Sequence, residues 1–535
     1  MGRPTLQSAP HSLLLALALA ALSPTALCAQ GALIFADGFE AASFWEWSGA
    51  SPSPAPPEVC TRPITLVDTS GATVVGNGTP GSCTEAALNA ALASNNGMIR
   101  FNCGTRPRII TLTAQKIIIG NLVIDGGGRV ALSGGGATRI LVARPPFGTT
   151  PRPTLTVQRL VFLNGSTFSL SGSGVSNGGA AIFRDQGANL QVIDCLFAGN
   201  VGPPVGQDVA GGAIYSLLQG TTTVVGTTFT GNRCSSGGAL GNLHNDLVVV
   251  NSLLVANAAT GNSGNPGNGG NGGGIYMDGV SQTVSICGTR ILDNDANALG
   301  GGVFRVSNDG VGPMTIDRST VAGNEIPNVS GSGAGGLYLQ GLQLTITDTT
   351  IANNVANNVG GLWVVTNPGT QTLAMTNDTV AGNHARTGLG AGLAVADGIT
   401  GALRHVTIAR NSNEGSASFA SALAGGSGLD VSNSVIADNA KVFIWENTSC
   451  NQSHSGIGSF QWPDHNAGGQ SELACASVTF QSPGLGPLQD NGGPTPTILP
   501  TVQALNGAAD NCPATDQRGQ PRPSQDCTPG AVEMP

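Results

Sequence analysis

Few side chains in this sequence stand where they could do chemistry. His244 and Asp246 lie two apart in Asn242-Leu243-His244-Asn245-Asp246, and Arg305 and Asp309 follow further along. Such a set brings sugar-chain cleavage to mind: hydrolysis needs two carboxylates facing each other across a glycosidic bond, and a lyase needs a cation on the acidic group together with a strong base. A lone His-x-Asp pair is a weak signal for either. Asp194, Asp317, Asp348 and Asp378 recur at nearly equivalent places in a repeat and form a column able to hold Ca2+. Asp at a strand-to-turn junction is, however, ordinarily a turn former. His405, His454 and His465 show no metal-ligand spacing with cysteine or with one another. The glycine-rich stretch from Gly261 to Gly274 has neither the Asp of a calcium-binding nonapeptide nor the Lys-Ser/Thr of a phosphate loop. The residues thus predict no catalytic site and no required cofactor, with Ca2+ as the one ion the Asp column leaves open.

A second pattern concerns aromatic rings. All three tyrosines, Tyr215, Tyr276 and Tyr338, fall one residue after the apolar position of a recurring Gly-Gly motif, and Phe183, Phe304 and Trp363 occupy the same slot. Neighbours on a strand point to opposite faces, so if Ile214, Ile275, Leu337 and Leu362 face a core, the aromatics face outward. Tyr215, Tyr276, Phe304, Tyr338 and Trp363 would then form a stripe able to stack on sugar rings. The competing reading is mutual stacking that stiffens the fold, at about 0.5 to 1.5 kcal/mol per pair.

These positions recur because the sequence repeats. From about residue 157 to residue 439 a motif of the form apolar-x-x-[Ser/Thr]-apolar-x-x-Asn returns, closing on Asn200, Asn232, Asn257, Asn294, Asn324, Asn354, Asn383, Asn411 and Asn439, and the later spacings settle at 28 to 30 residues. Each period also carries Gly-Gly-x-[Ile/Val/Leu], as in Gly211-Gly212-Ala213-Ile214. Two short apolar runs per period, each ended by Gly or Asn, read as short strands joined by tight turns. Such a unit buries its apolar side only by stacking on copies of itself, at about 4.8 Å per coil. The expected fold is all-β, a right-handed single-stranded parallel β-helix of nine or ten coils, roughly 45 Å long, with a short helical cap before it and an irregular cap after it. The repeated Asn is read as a structural ladder: it tolerates the left-handed backbone of a sharp turn, and stacked amides can bond from coil to coil.

The start of the chain reads as an export signal, with Arg3 followed by the apolar run Leu13 to Leu22 and small residues at Ala26 and Ala29. Cleavage is expected between Ala29 and Gln30, with lipidation at Cys28 as the competing reading. The run is shorter than the roughly 20 residues of a membrane span, and no later stretch is long and apolar enough. Removing the signal leaves ten of eleven cysteines for an oxidising compartment, with most cross-links expected near the two ends and the connectivity open. A net charge of -9, with Lys116 and Lys441 the only lysines, argues against nucleic acid as a partner. The expected organisation is 1–29 signal, 30–58 an aromatic and acidic segment with a Pro-rich linker, 59–150 N-terminal cap and first coils, 151–445 repeats, and 446–535 C-terminal cap. Within 59–150 lies the helical pattern Thr84-Glu85-Ala86-Ala87-Leu88-Asn89-Ala90-Ala91-Leu92-Ala93.

Gly81 to Leu88, followed by Ala93 to Phe101, resembles the capping segment of bacterial β-helix surface proteins with a Cys-Ser-Leu-Arg-Glu-Ala motif, although the Leu-Arg pair is absent here. Gly486 to Thr497, with Cys512 to Gly519 and Gly530 to Glu533, resembles the choice-of-anchor Q family; the Ser-Pro-Ala-Ile-Asp-Ala-Gly stretch usual between those blocks is replaced by Gln503-Ala504-Leu505-Asn506-Gly507. The resemblance implies a pectate-lyase-like β-helix at the cell surface or outside the cell, in families whose members mostly lack an assigned activity. The function expected is non-catalytic presentation of a long face for adhesion, to a polysaccharide or cell-surface glycan. A polysaccharide lyase or glycoside hydrolase on the same fold, and a purely structural surface or matrix protein, are the alternatives.

Overall fold

A computed structural model describes residues 58–534 apart from 171–173, 328–332 and 416–419. The expected signal, the lipidation site Cys28 and the aromatic segment and linker at 30–57 lie outside the described residues. The chain forms a parallel β-solenoid of about 13 turns. Stacking therefore continues beyond the repeats that the Asn motif marks, and the rod is longer than expected, about 62 Å at 4.8 Å per coil.

Each regular coil takes the same path. One strand belongs to an 11-stranded sheet, and after a turn two more strands join a 25-stranded sheet. A short bridge and the Gly-Gly motif then return the chain to its starting side. Strands pair in parallel with their equivalents one coil away, and the pair Leu485–Gln489 and Thr497–Pro500 is antiparallel. Alternation along the strands sends one side chain in two to the interior. There Phe162, Phe197 and Phe229 stack at centroid distances of 4.6 and 4.8 Å, and Leu254, Ile291, Val321, Ile351, Val380, Ile408 and Ile436 continue their column.

Inside each coil the chain must turn while buried, and two polar ladders make that possible. All nine ladder asparagines are buried. Along the run each Nδ2 donates to the Oδ1 of the next asparagine, at 2.8 Å from Asn200 to Asn232 and 2.9 Å from Asn294 to Asn324, and the same Oδ1 accepts the backbone N–H of the preceding asparagine. Each Nδ2 also donates to a main-chain carbonyl on the coil before, as Asn324 does to Ile291 at 2.9 Å. The left-handed backbone expected at the asparagines lies one residue earlier, at Gly199, Gly231, Ala256, Asp293, Gly323, Asn353, Gly382, Arg410 and Asp438. The asparagine is kept for its amide and its neighbour makes the turn. At Gly226 and Gly323 the requirement is double, because φ is +59° and +67° and a Cβ would come within 2.2 Å of Asp194 Oδ1 and Asp293 Oδ1 of the previous coil.

The second ladder is built from hydroxyls. Thr227, Ser252, Thr289, Ser319 and Thr349 each accept the backbone N–H of the equivalent residue one coil earlier, at 3.1 to 3.4 Å. These hydroxyls stand five residues before the ladder asparagines, one position before the Ser/Thr of the repeat motif. At Asp378 a carboxyl takes the hydroxyl's place and accepts Thr349 N at 2.8 Å and Thr376 N at 3.0 Å.

Both described ends of the chain run back along the side of the rod. Val59 and Cys60 donate to Asn251 Oδ1, Cys60 is disulfide-bonded to Cys287, Arg62 pairs with Asp194 at 2.9 Å, and Thr69 donates to Asp125, after which the chain enters the first coil at Thr73–Val75. From the other end, Asn433, Asn377 and Thr350 donate to the carbonyls of Asp510, Thr515 and Pro496. The blocks Gly486 to Thr497 and Cys512 to Gly519 thus lie along the flank of the later coils rather than over their end. The expected helix is present as α1 (Glu85–Leu92), with Thr84 Oγ1 accepting Ala87 N and Leu88 and Leu92 buried against the first coils. Cys83–Cys103, Cys450–Cys475 and Cys512–Cys527 follow the expected concentration near the ends, whereas Cys60–Cys287 fastens the leading segment to a central coil. Cys195 and Cys234 are unpaired and buried, and burial pushes both thiols up to about 12. Among the described residues no helix is long and apolar enough to cross a membrane.

Replacing Asn324 with Ala removes the three contacts its Nδ2 donates, to Ile291 O, Ala322 O and Asn354 Oδ1, and takes from Asn294 the acceptor of its main-chain N–H and of one side-chain N–H. The expected loss is about 2–4 kcal/mol in denaturant unfolding, and Asn324→Asp, which keeps the acceptor but loses the donor, should recover part of it. A loss below about 0.5 kcal/mol would show the ladder to be dispensable.

Candidate functional site

The five aromatic residues expected to form an outer stripe do share one column, and they do point away from the main apolar interior. Most of the column is covered. Tyr215 and Tyr276 are buried and bonded to the loops that leave the coils after Asn200 and Asn257, Phe304 is buried between Tyr276 and Tyr338, and Tyr338 and Trp363 are half-buried. Tyr276 stacks on Phe304 at 5.3 Å, Phe304 on Tyr338 at 5.4 Å, and Tyr338 meets Trp363 edge-on at 5.5 Å. The Tyr276 hydroxyl donates to Asp208 Oδ1 at 2.7 Å, which ties down the loop above it, and burial pushes both the Tyr215 and the Tyr276 phenol well above their usual range. Tyr215, Tyr276 and Phe304 therefore have no free ring face for a sugar. Strand alternation fixes which way a side chain leaves the sheet but not what a long loop lays over it.

The carboxylate column also separates. Asp194 and Asp348 occupy the left-handed turn position, Asp317 lies one register position before it and Asp378 one after. Asp194 is paired with Arg62, Asp317 with Arg318, and Asp348 accepts from Asn377 at 3.1 Å. Burial, with the nearby Asp317 charge adding to it, pushes Asp348 up to about 6. Among the described residues the one group of three potential metal ligands within reach of one another is Cys60, Cys287 and Asp317, and its two sulfurs are joined in a disulfide. Among the described residues no three of these carboxylates lie within reach of one another.

The His-x-Asp pair lies instead in a groove. Four strands of the 11-stranded sheet stack in successive coils: β1 (Ile182–Arg184), β2 (Ile214–Leu217), β3 (Leu240–Leu243) and β4 (Ile275–Gly279). Each is followed by a sharp turn with a left-handed non-glycine residue, at Gln186, Leu218, His244 and Ser281. These turns line up along the rod, and the loop Phe147–Arg152 stands beside them as a wall. Between them lies a cavity of about 800 Å3 that includes His244, Asn245 and Asp246.

The floor of this groove is polar and tightly held. Arg184, fully buried, donates to the carbonyls of Ala188, Leu217, Leu218 and Gln219, and so fixes the β2 turn from below. Arg305, on β5 (Val303–Ser307), donates to Gln282 Oε1 at 2.6 Å and to its carbonyl at 2.9 Å. Arg305 is buried beneath the floor and does not reach the surface beside His244 and Asp246. Asp309 accepts from Ser281 and Ser307, which hold its carboxyl down to about 2. Asn245 is 1% exposed, and its Nδ2 donates to Thr222, Asn242 and the Asp246 carbonyl, yet its Oδ1 has no partner. On the wall, Phe147 is 83% exposed and Arg152 donates to Gln219 Oε1 at 2.8 Å.

Sequence reasoning singles out His244 and Asp246 but misses the amide side chains beside them. A signal is present: Gln186, Gln219 and Asn245 each fall seven residues after the last glycine of a Gly-Gly motif, and Gln282 falls eight after. Comparison with protein-family models, with curated proteins and with solved structures finds no match to this chain.

Asp378 is fully buried, and burial pushes its carboxyl well above the usual range, with Asp348 adding to the effect against two backbone N–H bonds. A carboxyl whose folded pKa is raised contributes stability that is complete below its unfolded pKa and is lost as pH rises through the folded value. Asp378→Asn loses one of the two acceptors, so its Tm should lie below the parent's near pH 4, and the difference should move in the variant's favour as pH rises to neutral and alkaline values. A Tm difference that does not change with pH would show that Asp378 does not titrate in the fold.

Proposed function

We propose that this chain is an exported protein that binds glycan chains in the groove between the β1 to β4 turns and the Phe147–Arg152 wall, without cleaving them. Support comes from the buried, unpartnered Oδ1 of Asn245 in the groove floor, an acceptor waiting for a donor. The exposed Phe147 ring beside it is a surface of the kind on which a sugar stacks. Asp246 is the only carboxylate among the residues lining the groove, so the facing pair that glycoside hydrolysis uses is not provided by them. The four disulfides fit an oxidising compartment. The signal-like start and the resemblance of the C-terminal blocks to choice-of-anchor Q proteins support a place outside the cell or at its surface.

The test is co-sedimentation and chain-length analysis of the purified protein with a panel of polysaccharides, with and without Ca2+. Binding without shortening is expected, and Phe147→Ala should weaken it about three- to tenfold, the size of one lost ring contact. Shortened chains would make the protein an enzyme, and no binding across the panel would leave the rod a structural element.

A further inference from the structure

The groove also says what shape and charge of glycan it suits. After β2, β3 and β4, the residue that follows the left-handed turn residue is Gln219, Asn245 and Gln282, one carboxamide per coil in adjacent coils. Their polar atoms are not equivalent. Gln219 has its Oε1 held by Arg152, which leaves its NH2 to donate, whereas Asn245 has its NH2 held and its buried Oδ1 without a partner in the groove floor. Gln219 thus offers a donor and Asn245 an acceptor in adjacent coils about 4.8 Å apart, while Gln282 is buried with its Oε1 held by Arg305 and its NH2 on the Asp278 carbonyl. A hydroxyl both donates and accepts; a carboxylate only accepts.

The charges point the same way. Arg152 and Asp246 offset each other at the groove, and Asp309, behind Ser281, stands against the buried cations. Arg184 spends its N–H groups on main-chain carbonyls, Arg305 binds Gln282 and the Val306 carbonyl with its terminal nitrogens, and both are fully buried, so neither offers a guanidinium face to a ligand. The chain as a whole carries -9 and repels polyanions at long range. We infer that the groove takes an uncharged, hydroxyl-rich glycan in extended form, lying parallel to the rod axis with about one sugar unit per coil over the four coils that line it. This rests on the glycan-binding reading above and adds to it the charge class, the orientation and the length of the ligand.

The experiment is calorimetric titration of the purified protein with cello- and xylo-oligosaccharides from disaccharide to hexasaccharide, and with oligogalacturonates of the same lengths, at low and high salt. The neutral series should gain roughly tenfold or more in affinity from disaccharide to tetrasaccharide, level off beyond it, and be insensitive to salt. Gln219→Ala, a change at an exposed side chain, should lower tetrasaccharide affinity about three- to tenfold. Tighter, salt-sensitive binding of oligogalacturonates would overturn the inferred charge class while leaving glycan binding intact. Neutral binding already complete at the disaccharide would overturn the inferred orientation and length. Binding of neither series, or binding that Gln219→Ala and Phe147→Ala both leave unchanged, would overturn the glycan-binding reading of this groove itself.

Discussion

A buried turn leaves main-chain N–H groups without water, and in this protein each is answered by a side chain on the next coil. The asparagine amides and the Ser/Thr hydroxyls form two parallel columns in which every member is donor to one neighbour or acceptor for another. No coil is satisfied alone, so the repeats fold as a stack or not at all. An unmet buried amide costs about 1–3 kcal/mol, comparable to the loss of a well-packed methyl-bearing side chain, which is why the Asn position varies so little along the chain while the apolar positions pass freely from Phe to Leu, Ile and Val.

Regular stacking has a second consequence: whatever one turn presents, the next presents about 4.8 Å away. Sharp turns after four strands of one sheet bring Gln219, Asn245 and Gln282 into line, and two buried arginines below, Arg184 and Arg305, hold the backbone of the Gln219 and Gln282 turns. The same periodicity lines up Tyr276, Phe304 and Tyr338, but there it serves the scaffold, since loops close over the rings and Asp208 fastens the loop to Tyr276. The two ends of the described chain then cover the flank where the left-handed turns of the large sheet would otherwise be open, one of them fixed by Cys60–Cys287.

Much of this architecture is legible in the amino-acid sequence. The Asn spacing marks the coils, the paired apolar runs mark the strands, and Thr84 to Ala93 marks the cap helix. The rod is longer than the motif implies because its first coils, such as that of Leu122–Ser133, stack without the Asn. The left-handed residue sits one position away from where the motif suggests, since Asn and its neighbour both suit such turns and only the amide's bonds distinguish them. Tyr215, Tyr276 and Phe304 lie on the expected face and are nonetheless buried, because burial there depends on loops whose path has no periodicity. The carboxylate column looks aligned in sequence, yet a shift of one residue turns a side chain to another partner, as Asp317, Asp348 and Asp378 show. The groove is only half visible: His244 and Asp246 stand out for their chemistry, while Gln219, Asn245 and Phe147 have ordinary side chains whose role comes from alignment across coils.

The most direct measurement is amide hydrogen exchange of the whole protein, alone and saturated with a neutral hexasaccharide of the xylan or cellulose type. The expected result is slowed exchange at Leu218–Gly220, His244–Asp246 and Val280–Gln282, with the rest of the rod unchanged. Protection confined to the half-exposed Tyr338 and Trp363 side, or no protection in any of the three turns, would contradict the assignment of this groove as the place where the protein meets its ligand.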